Sequence, residues 1–248
     1  MTHMTFEVAS GHRLGISGLG EPASTKVAVL CHAAPGTGAI DPDPLASNRS
    51  GLRIIGIDRP GYGASDRYEG EPDLDVWLAD VRDYLSRLDP TSREASGLDI
   101  EFAGVIGIGY GAFYAAALAA TVADCPRLVL LEPSAPLFRS EALDDPSQWD
   151  AEGVDPMSGA VDRQRPALDA ADSYGAAADH LLLADLGWTR RVRDVHVDST
   201  VIGVPDDAGT AWWSRHLHHP RTIDLPEGGL PGLGFGWGTA LTVLGGAA

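Results

Sequence analysis

Cysteine is scarce in this chain of 248 residues, which contains only Cys31 and Cys125. The two are far apart in sequence, and neither lies near histidines at the spacing that zinc sites use. Each cysteine instead lies in or beside an apolar run, which favours a small core residue over a redox or catalytic thiol. The cysteines therefore predict no metal site.

Positive charge is also scarce, because 18 Lys and Arg against 35 Asp and Glu give a formal net charge of −17. Such a surface repels the phosphates of nucleic acids and anionic membrane headgroups, so neither partner is expected. No apolar run approaches the roughly 20 residues of a membrane span. A basic segment followed by an apolar one is missing at the start of the sequence. We expect a cytoplasmic protein that binds a small molecule; the oligomeric state stays open.

Glycine and proline are plentiful, at 30 and 17 residues, and predict many tight turns. Hydrophobic residues make up 44 % of the chain and charged residues 21 %, which is typical of a globular protein. The length fits one large domain or two small ones.

Short runs that are apolar throughout alternate with segments of helical periodicity. Uninterrupted apolar runs are typical of strands covered on both faces, and their alternation with helices predicts a mostly parallel α/β sheet with helices on both sides. The predicted strands are 4–9, 12–17, 26–32, 52–58, 100–107, 127–132, 199–203 and 221–225, and the predicted helices are 73–89, 112–122, 208–217 and 236–245.

Residues 134–185 interrupt this alternation with a polar, proline-rich segment that regains a helical pattern over 172–186. A loop much longer than ~15 residues is uncommon unless it is functional or disordered. We therefore predict a short helical lid over 134–185, inserted into a core formed by 1–133 and 186–248. The alternative is a long surface loop.

Three segments resemble the α/β-hydrolase family, in particular its small esterase and epoxide-hydrolase-like members. They are the turn His32–Gly36 (HAAPG), the loop Asp58–Asp66 (DRPGYGASD) and the strand-to-helix turn Gly107–Ala112 (GIGYGA). The resemblance implies that fold. It also implies that the last segment is the turn that carries the nucleophile, and that backbone N–H groups in the first and last segments form an oxyanion hole.

Two positions depart from the pattern of that family. Gly109 stands where the family has a Ser, Cys or Asp nucleophile, although a nucleophile needs a heteroatom with a lone pair. Leu230 stands where the resemblance places the histidine after the last strand. Asp206 matches the position of the triad acid, and Glu132 matches an alternative acid position at the end of the sixth strand. These departures disfavour acyl-enzyme hydrolysis, because triad members act as a unit.

The oxyanion hole is the part of such a site that survives the loss of side chains. Ala33 and Tyr110 are expected to supply its N–H groups, and Gly109 leaves space for a substrate. His32 is a candidate base, or a brace that holds its turn by hydrogen bonds. Tyr110 is a candidate acid or hydrogen-bond donor, or a packing residue beneath the lid.

The carboxylates leave similar alternatives. Glu132 is a candidate base because burial at a strand end raises the pKa of a carboxyl group. Asp206 is either a catalytic acid or only a turn former. The histidines of residues 212–220 (WWSRHLHHP) fit an exposed helix end better than a metal site, because no carboxylate completes the set.

Three functions are compatible with this pattern. The first is a non-hydrolytic enzyme that carries out proton transfer, cyclisation, C–C bond formation or elimination on a small aromatic or polyketide-like molecule, without a cofactor. The second is a catalytically silent protein that binds a ligand or a partner. The third is a hydrolase with a rearranged triad.

Overall fold

Eight strands form one sheet in the computed structural model, which describes residues 2–34, 36–70, 72–88, 100–136, 175, 178–179, 181–182 and 187–246. Their order across the sheet is β1-β2-β4-β3-β5-β6-β7-β8. The pairs β1–β2 and β2–β4 are antiparallel, and all later neighbours are parallel. The strands are β1 (Thr2–Glu7), β2 (Arg13–Gly20), β3 (Lys26–Cys31), β4 (Arg53–Ile57), β5 (Glu101–Ile108), β6 (Arg127–Leu131), β7 (Asp198–Gly203) and β8 (Arg221–Asp224).

Helices cover both faces of this sheet, which confirms the predicted α/β architecture. One face packs under α2, α3, α4 and α5, with Trp77, Phe113 and Trp213 in its core. The other face packs under α1 and α6, with Trp237 at its centre. The helices are α1 (Pro44–Arg49), α2 (Leu74–Ser86), α3 (Gly111–Thr121), α4 (Trp188–Arg193), α5 (Ala208–His216) and α6 (Gly229–Gly245).

The last helix differs from its prediction. It begins at Gly229 rather than near 236. Its glycine-rich first part is therefore helical, although glycine has a low helix propensity. Proline at 231 is tolerated because it falls in the first turn, where a backbone N–H has no partner inside the helix. The short helix α1 was not predicted from the sequence.

The predicted lid, 134–185, lies largely outside the described residues. Within it, residues 134–136 line the mouth of the sheet, and residues 175, 178–179 and 181–182 are helical. Gly175 packs on the ring of Tyr62, where an added Cβ would lie 2.6 Å from two ring carbons. The division into core and lid stays a prediction.

Both cysteines are free thiols, Cys31 buried in β3 and Cys125 half-buried. Burial raises the pKa of Cys31 to about 12 and that of Cys125 to about 11, so both stay protonated near neutral pH. In the part of the chain that the structure describes, no helix is long and apolar enough to cross a membrane.

Candidate active site

The turn between β5 and α3 holds Gly109 in a left-handed backbone conformation, with φ of 54°. Its carbonyl oxygen accepts hydrogen bonds from the N–H of Ala112 at 3.2 Å and of Ser134 at 3.1 Å, and its own N–H donates to Leu131. The turn is therefore fixed to the neighbouring strand β6 as well as to α3. Its position after a central parallel strand is the one predicted for a nucleophile.

The three glycines of this turn are glycines for different reasons. An added Cβ would lie 2.6 Å from Ala112 Cα at Gly107, and 2.1 Å from the Cys31 carbonyl oxygen at Gly111. At Gly109 the nearest atoms would be Ala33 Cβ at 3.5 Å and Ser134 Oγ at 3.7 Å, which are ordinary contacts. Close packing thus excludes a side chain at Gly107 and Gly111, whereas there is room for one at Gly109.

His32 is buried and engaged at both ring nitrogens. Nδ1 donates to the Ala33 carbonyl oxygen at 2.7 Å, and Nε2 accepts the Arg59 N–H at 3.2 Å. Burial lowers the pKa of His32 well below its usual value, and the nearby Arg59 guanidinium lowers it further. A neutral imidazole with no free nitrogen fits the bracing role better than that of a base.

Arg59 follows β4 and has a fully buried guanidinium. Nη2 donates to the Ala33 carbonyl oxygen at 3.1 Å. Nη1 lies 2.6 Å from Asp179 Oδ2 and forms a buried ion pair with it. Arg59 thus links a carboxylate from the predicted lid segment to the turn that holds His32 and Ala33.

Two tyrosines complete this buried cluster around Asp179. The hydroxyls of Tyr62 and Tyr114 each donate to Asp179 at 2.7 Å, and the Arg59 guanidinium lies over both rings. Burial raises the pKa of both hydroxyls, so they remain protonated donors. The sequence pattern does not predict this cluster, because a single aspartate within the helical pattern of residues 172–186 carries no sign of burial.

Glu132 follows β6 in a left-handed conformation with φ of 45°, which is strained for a residue with a side chain. Oε2 accepts the N–H of Gly229 at 2.7 Å and so satisfies an unpaired donor at the start of α6. Burial raises the pKa of Glu132 to about 7, against the opposing effect of that hydrogen bond, and nearby Asp207 adds to the rise. Glu132 therefore changes charge near neutral pH.

Glycines in the following segment make room for this carboxylate. An added Cβ at Gly232 would lie 2.3 Å from Glu132 Oε1, and one at Gly228 would lie 3.2 Å from it. Leu230 belongs to the same first turn of α6. The glutamate therefore occupies space beside the segment in which the resemblance places a histidine, which explains part of the glycine content there.

Asp206 and Asp207 lie between β7 and α5, and both are exposed. Asp207 caps α5 by accepting the N–H groups of Gly209 and Thr210. Asp206 accepts no hydrogen bond from any other described residue and faces the cleft. The turn-forming role that the sequence suggested for Asp206 is thus carried by its neighbour.

A cleft of about 820 Å³ opens at the carboxyl ends of β6 and β7. It brings together three predicted site residues, Tyr110, Glu132 and Asp206. His32, Ala33 and Gly109 are not among its lining residues. Ala33 Cβ lies 3.5 Å from the position of a Cβ added at Gly109, on the side to which that side chain would point. Apart from the acids, the walls are mostly apolar or neutral, and no basic residue lines the described part. These walls are formed by Pro133, Ser134, Ala135, Pro136, Val204, Ala208, Gly209, Thr210 and Gly228.

The histidines near the end of α5 pack on each other and on aromatic rings. His216 stacks on Trp212 and bonds to its carbonyl oxygen through Nδ1 at 2.7 Å. No group of three His, Cys, Asp or Glu side chains among the described residues is arranged to hold a metal ion.

Comparison with known proteins shows a shared fold. The profile of the α/β hydrolase fold family matches residues 27–213, and no curated protein matches the chain. A hydrolase from Pseudomonas aeruginosa PA01 is 20 % identical, with a TM-score of 0.71 over 98 % of each chain. The enol-lactonase from Burkholderia xenovorans LB400 is 18 % identical, with a TM-score of 0.67 over 97 % of this chain and 98 % of its own. An α/β hydrolase fold protein from Nakamurella multipartita is 15 % identical, with a TM-score of 0.69 over 100 % of each chain.

Proposed function

Because the chain belongs to the α/β-hydrolase family, we propose that it uses the cleft of that fold for a reaction other than hydrolysis, in which Glu132 moves a proton. The observation that carries this proposal is the Glu132 carboxyl group, which lines the cleft with a pKa of about 7. A general base works best when its pKa lies near the working pH.

Two positions at which the resemblance places triad residues carry no reactive side chain, which supports a reaction without an acyl-enzyme. Gly109 has room for a side chain but carries none, so it supplies no nucleophile. Leu230 has no proton-accepting atom, and no histidine lines the described part of the cleft. Gly109 and Leu230 both lack a group that acyl-enzyme formation needs, while the backbone of the turn at Gly109 stays in place.

Backbone groups supply the complementary half of the reaction. The Tyr110 N–H at the start of α3 and the Ala33 N–H beside Gly109 are the proposed donors to a substrate oxygen. We propose that Glu132 removes a proton from the carbon next to a carbonyl group and that these donors stabilise the resulting enolate. Return of the proton to another carbon gives isomerisation, and departure of a neighbouring group gives elimination. No cofactor takes part in either route.

The cleft favours a small substrate with at most one negative charge. Glu132, Asp206 and Asp207 repel a polyanion, and the apolar walls suit a flat aromatic or polyketide-like ring system. The site thus fits a small ketone or 1,3-diketone, and the single oxyanion formed from it, better than a phosphate.

A hydrolase with a rearranged triad is the second candidate function. Ser134 Oγ lies 3.7 Å from the place where a Cβ at position 109 would be, which brings a hydroxyl close to the nucleophile position. Two of the similar structures are a hydrolase and an enol-lactonase. Covalent labelling of a serine distinguishes this candidate from proton transfer.

Hydrogen–deuterium exchange at the acidic carbon of acetylacetone tests the proton-transfer function. We expect the wild-type protein to accelerate exchange in D₂O, with a rate that rises as the pH passes through about 7 and Glu132 ionises. Glu132→Gln keeps a similar shape and should lower the acceleration at least 100-fold. Equal rates for the two proteins, or no acceleration over buffer, measured by NMR, would contradict the proposal.

The pKa of Glu132 also predicts how stability changes with pH. The folded protein holds this proton more tightly than the unfolded chain, in which the carboxyl group has its ordinary pKa of 4.5. The resulting contribution to the free energy of unfolding is therefore complete below pH 4.5. It is lost as the pH rises from about 4.5 to about 7. Between pH 5 and pH 8, the free energy of unfolding of the wild type should therefore fall by about 1–2 kcal/mol more than that of Glu132→Gln. This figure allows for screening by the solvent near the carboxylate. Urea unfolding at both pH values measures the difference.

A further inference from the structure

Ser134 lies two residues beyond Glu132 and lines the cleft. Among the described residues outside 108–110, its hydroxyl oxygen is the nearest polar atom to the position that a side chain at Gly109 would occupy, at 3.7 Å from the ideal Cβ. Neither the chain's resemblance to the α/β-hydrolase family nor the sequence pattern drew attention to this residue.

Two backbone hydrogen bonds fix Ser134 in this place. Its N–H donates to the Gly109 carbonyl oxygen at 3.1 Å, and its own carbonyl oxygen accepts the indole N–H of Trp213 at 2.9 Å. Trp213 is fully buried, so the second bond anchors Ser134 to the hydrophobic core. The hydroxyl is therefore presented to the cleft from a rigid backbone, as an effective catalytic donor requires.

The Ser134 hydroxyl forms no hydrogen bond with another described residue. It is half-buried and borders the place where the substrate oxygen is expected, between Gly109 and Ala33. We propose that Ser134 donates a hydrogen bond to that oxygen and so supplements the N–H groups of Ala33 and Tyr110. This inference rests on the proposed function and adds a side-chain donor to it.

A donor role suits Ser134 better than a nucleophilic role. A serine hydroxyl attacks only when a neighbouring base takes its proton, and no histidine lines the described part of the cleft. Glu132 Oε2 accepts the Gly229 N–H, and the Glu132 carboxylate forms no hydrogen bond with the Ser134 hydroxyl. A neutral hydroxyl can still stabilise negative charge on a substrate oxygen, because hydrogen bonds to charged groups are the stronger ones.

The test compares 4-nitrophenolate, whose charged oxygen mimics an enolate, with 4-nitrotoluene, which has the same ring and no such oxygen. The ratio of their dissociation constants isolates the contribution of the oxygen. We expect Ser134→Ala to lower the preference for the phenolate about tenfold, since the variant loses a hydrogen bond to a charged group. Ser134→Thr keeps the hydroxyl and should restore most of the preference. Ser214→Ala is the matched control, because that hydroxyl donates to Thr210 within its own helix.

Each outcome bears on a different claim. A wild-type protein that binds neither probe, or binds both equally, would contradict the proposed function, because the oxyanion hole would be missing. A wild-type preference for the phenolate that survives in Ser134→Ala would overturn the role of Ser134 alone. Covalent labelling of Ser134 by a fluorophosphonate would overturn it in favour of a nucleophile. Loss in Ser134→Ala with recovery in Ser134→Thr supports the proposal.

Discussion

Replacing Asp179 with alanine should lower the free energy of unfolding by roughly 3–5 kcal/mol, because the buried Arg59 guanidinium then has no counter-charge. The substitution also removes the acceptor for the hydroxyls of Tyr62 and Tyr114, which are both buried. For a chain of this length the change corresponds to a decrease of roughly 6–20 °C in melting temperature. Thermal unfolding followed by circular dichroism measures it.

Two further variants show whether the effect comes from the buried charge. Asp75→Ala removes the partner of Arg191 in an ion pair whose side chains are 67 % and 44 % exposed, and it should change stability by no more than about 1 kcal/mol. Arg59→Met combined with Asp179→Ala leaves no unpaired charge. Its free energy of unfolding should therefore fall by less than the sum of the decreases in the two single variants. Equal losses for Asp179→Ala and Asp75→Ala would mean that the buried contact does not form.

Substitutions at Gly109 should separate folding from binding. Gly109→Ala places a methyl group in ordinary contact with Ala33 and Ser134, and the positive φ costs about 1–2 kcal/mol. We expect this variant to fold and to bind 4-nitrophenolate. Gly109→Leu carries the same backbone cost but fills the space in front of Ala33, so it should fold and lose binding by at least tenfold.

The neighbouring glycine provides the matched control. Gly111→Ala puts a methyl group 2.1 Å from the Cys31 carbonyl oxygen and 2.4 Å from that of His32, so we expect it to unfold the protein or strongly destabilise it. Circular dichroism melts and binding of 4-nitrophenolate are measured for all three variants. If Gly109→Ala is as damaging as Gly111→Ala, the glycine at 109 is a backbone requirement and the argument about substrate space is wrong.

The central sheet was predictable because its strands are apolar on both faces. The runs at 26–32, 52–58 and 127–132 correspond to β3, β4 and β6 with shifts of only one residue or so at each end. The start of α6 was not predictable from propensity, since Gly229–Gly232 is poor helix-forming sequence. Tertiary contacts determine it instead: the Glu132 carboxylate accepts the Gly229 N–H, and Gly232 leaves the room that this carboxylate needs.

The candidate site was predictable only where a motif or a strand end marked a residue. Glu132 and Asp206 follow strands, and the structure places both beside Tyr110 in one cleft. Ser134 lies in the polar part of residues 134–185, and Asp179 lies in the part with a helical pattern. Neither pattern predicts their neighbours, which come from distant parts of the sequence. The engagement of His32 Nε2 likewise depends on Arg59, which is remote in sequence.

Intact-mass spectrometry after incubation with a fluorophosphonate probe tests the central claim most directly, namely that this cleft works without a covalent nucleophile. The probe phosphonylates an activated serine and needs no knowledge of the substrate. We predict that the wild-type protein keeps its unmodified mass, because Gly109 offers no hydroxyl and no histidine lines the described part of the cleft to activate Ser134. A stoichiometric adduct on a single serine would contradict the account and identify the protein as a hydrolase with a rearranged triad.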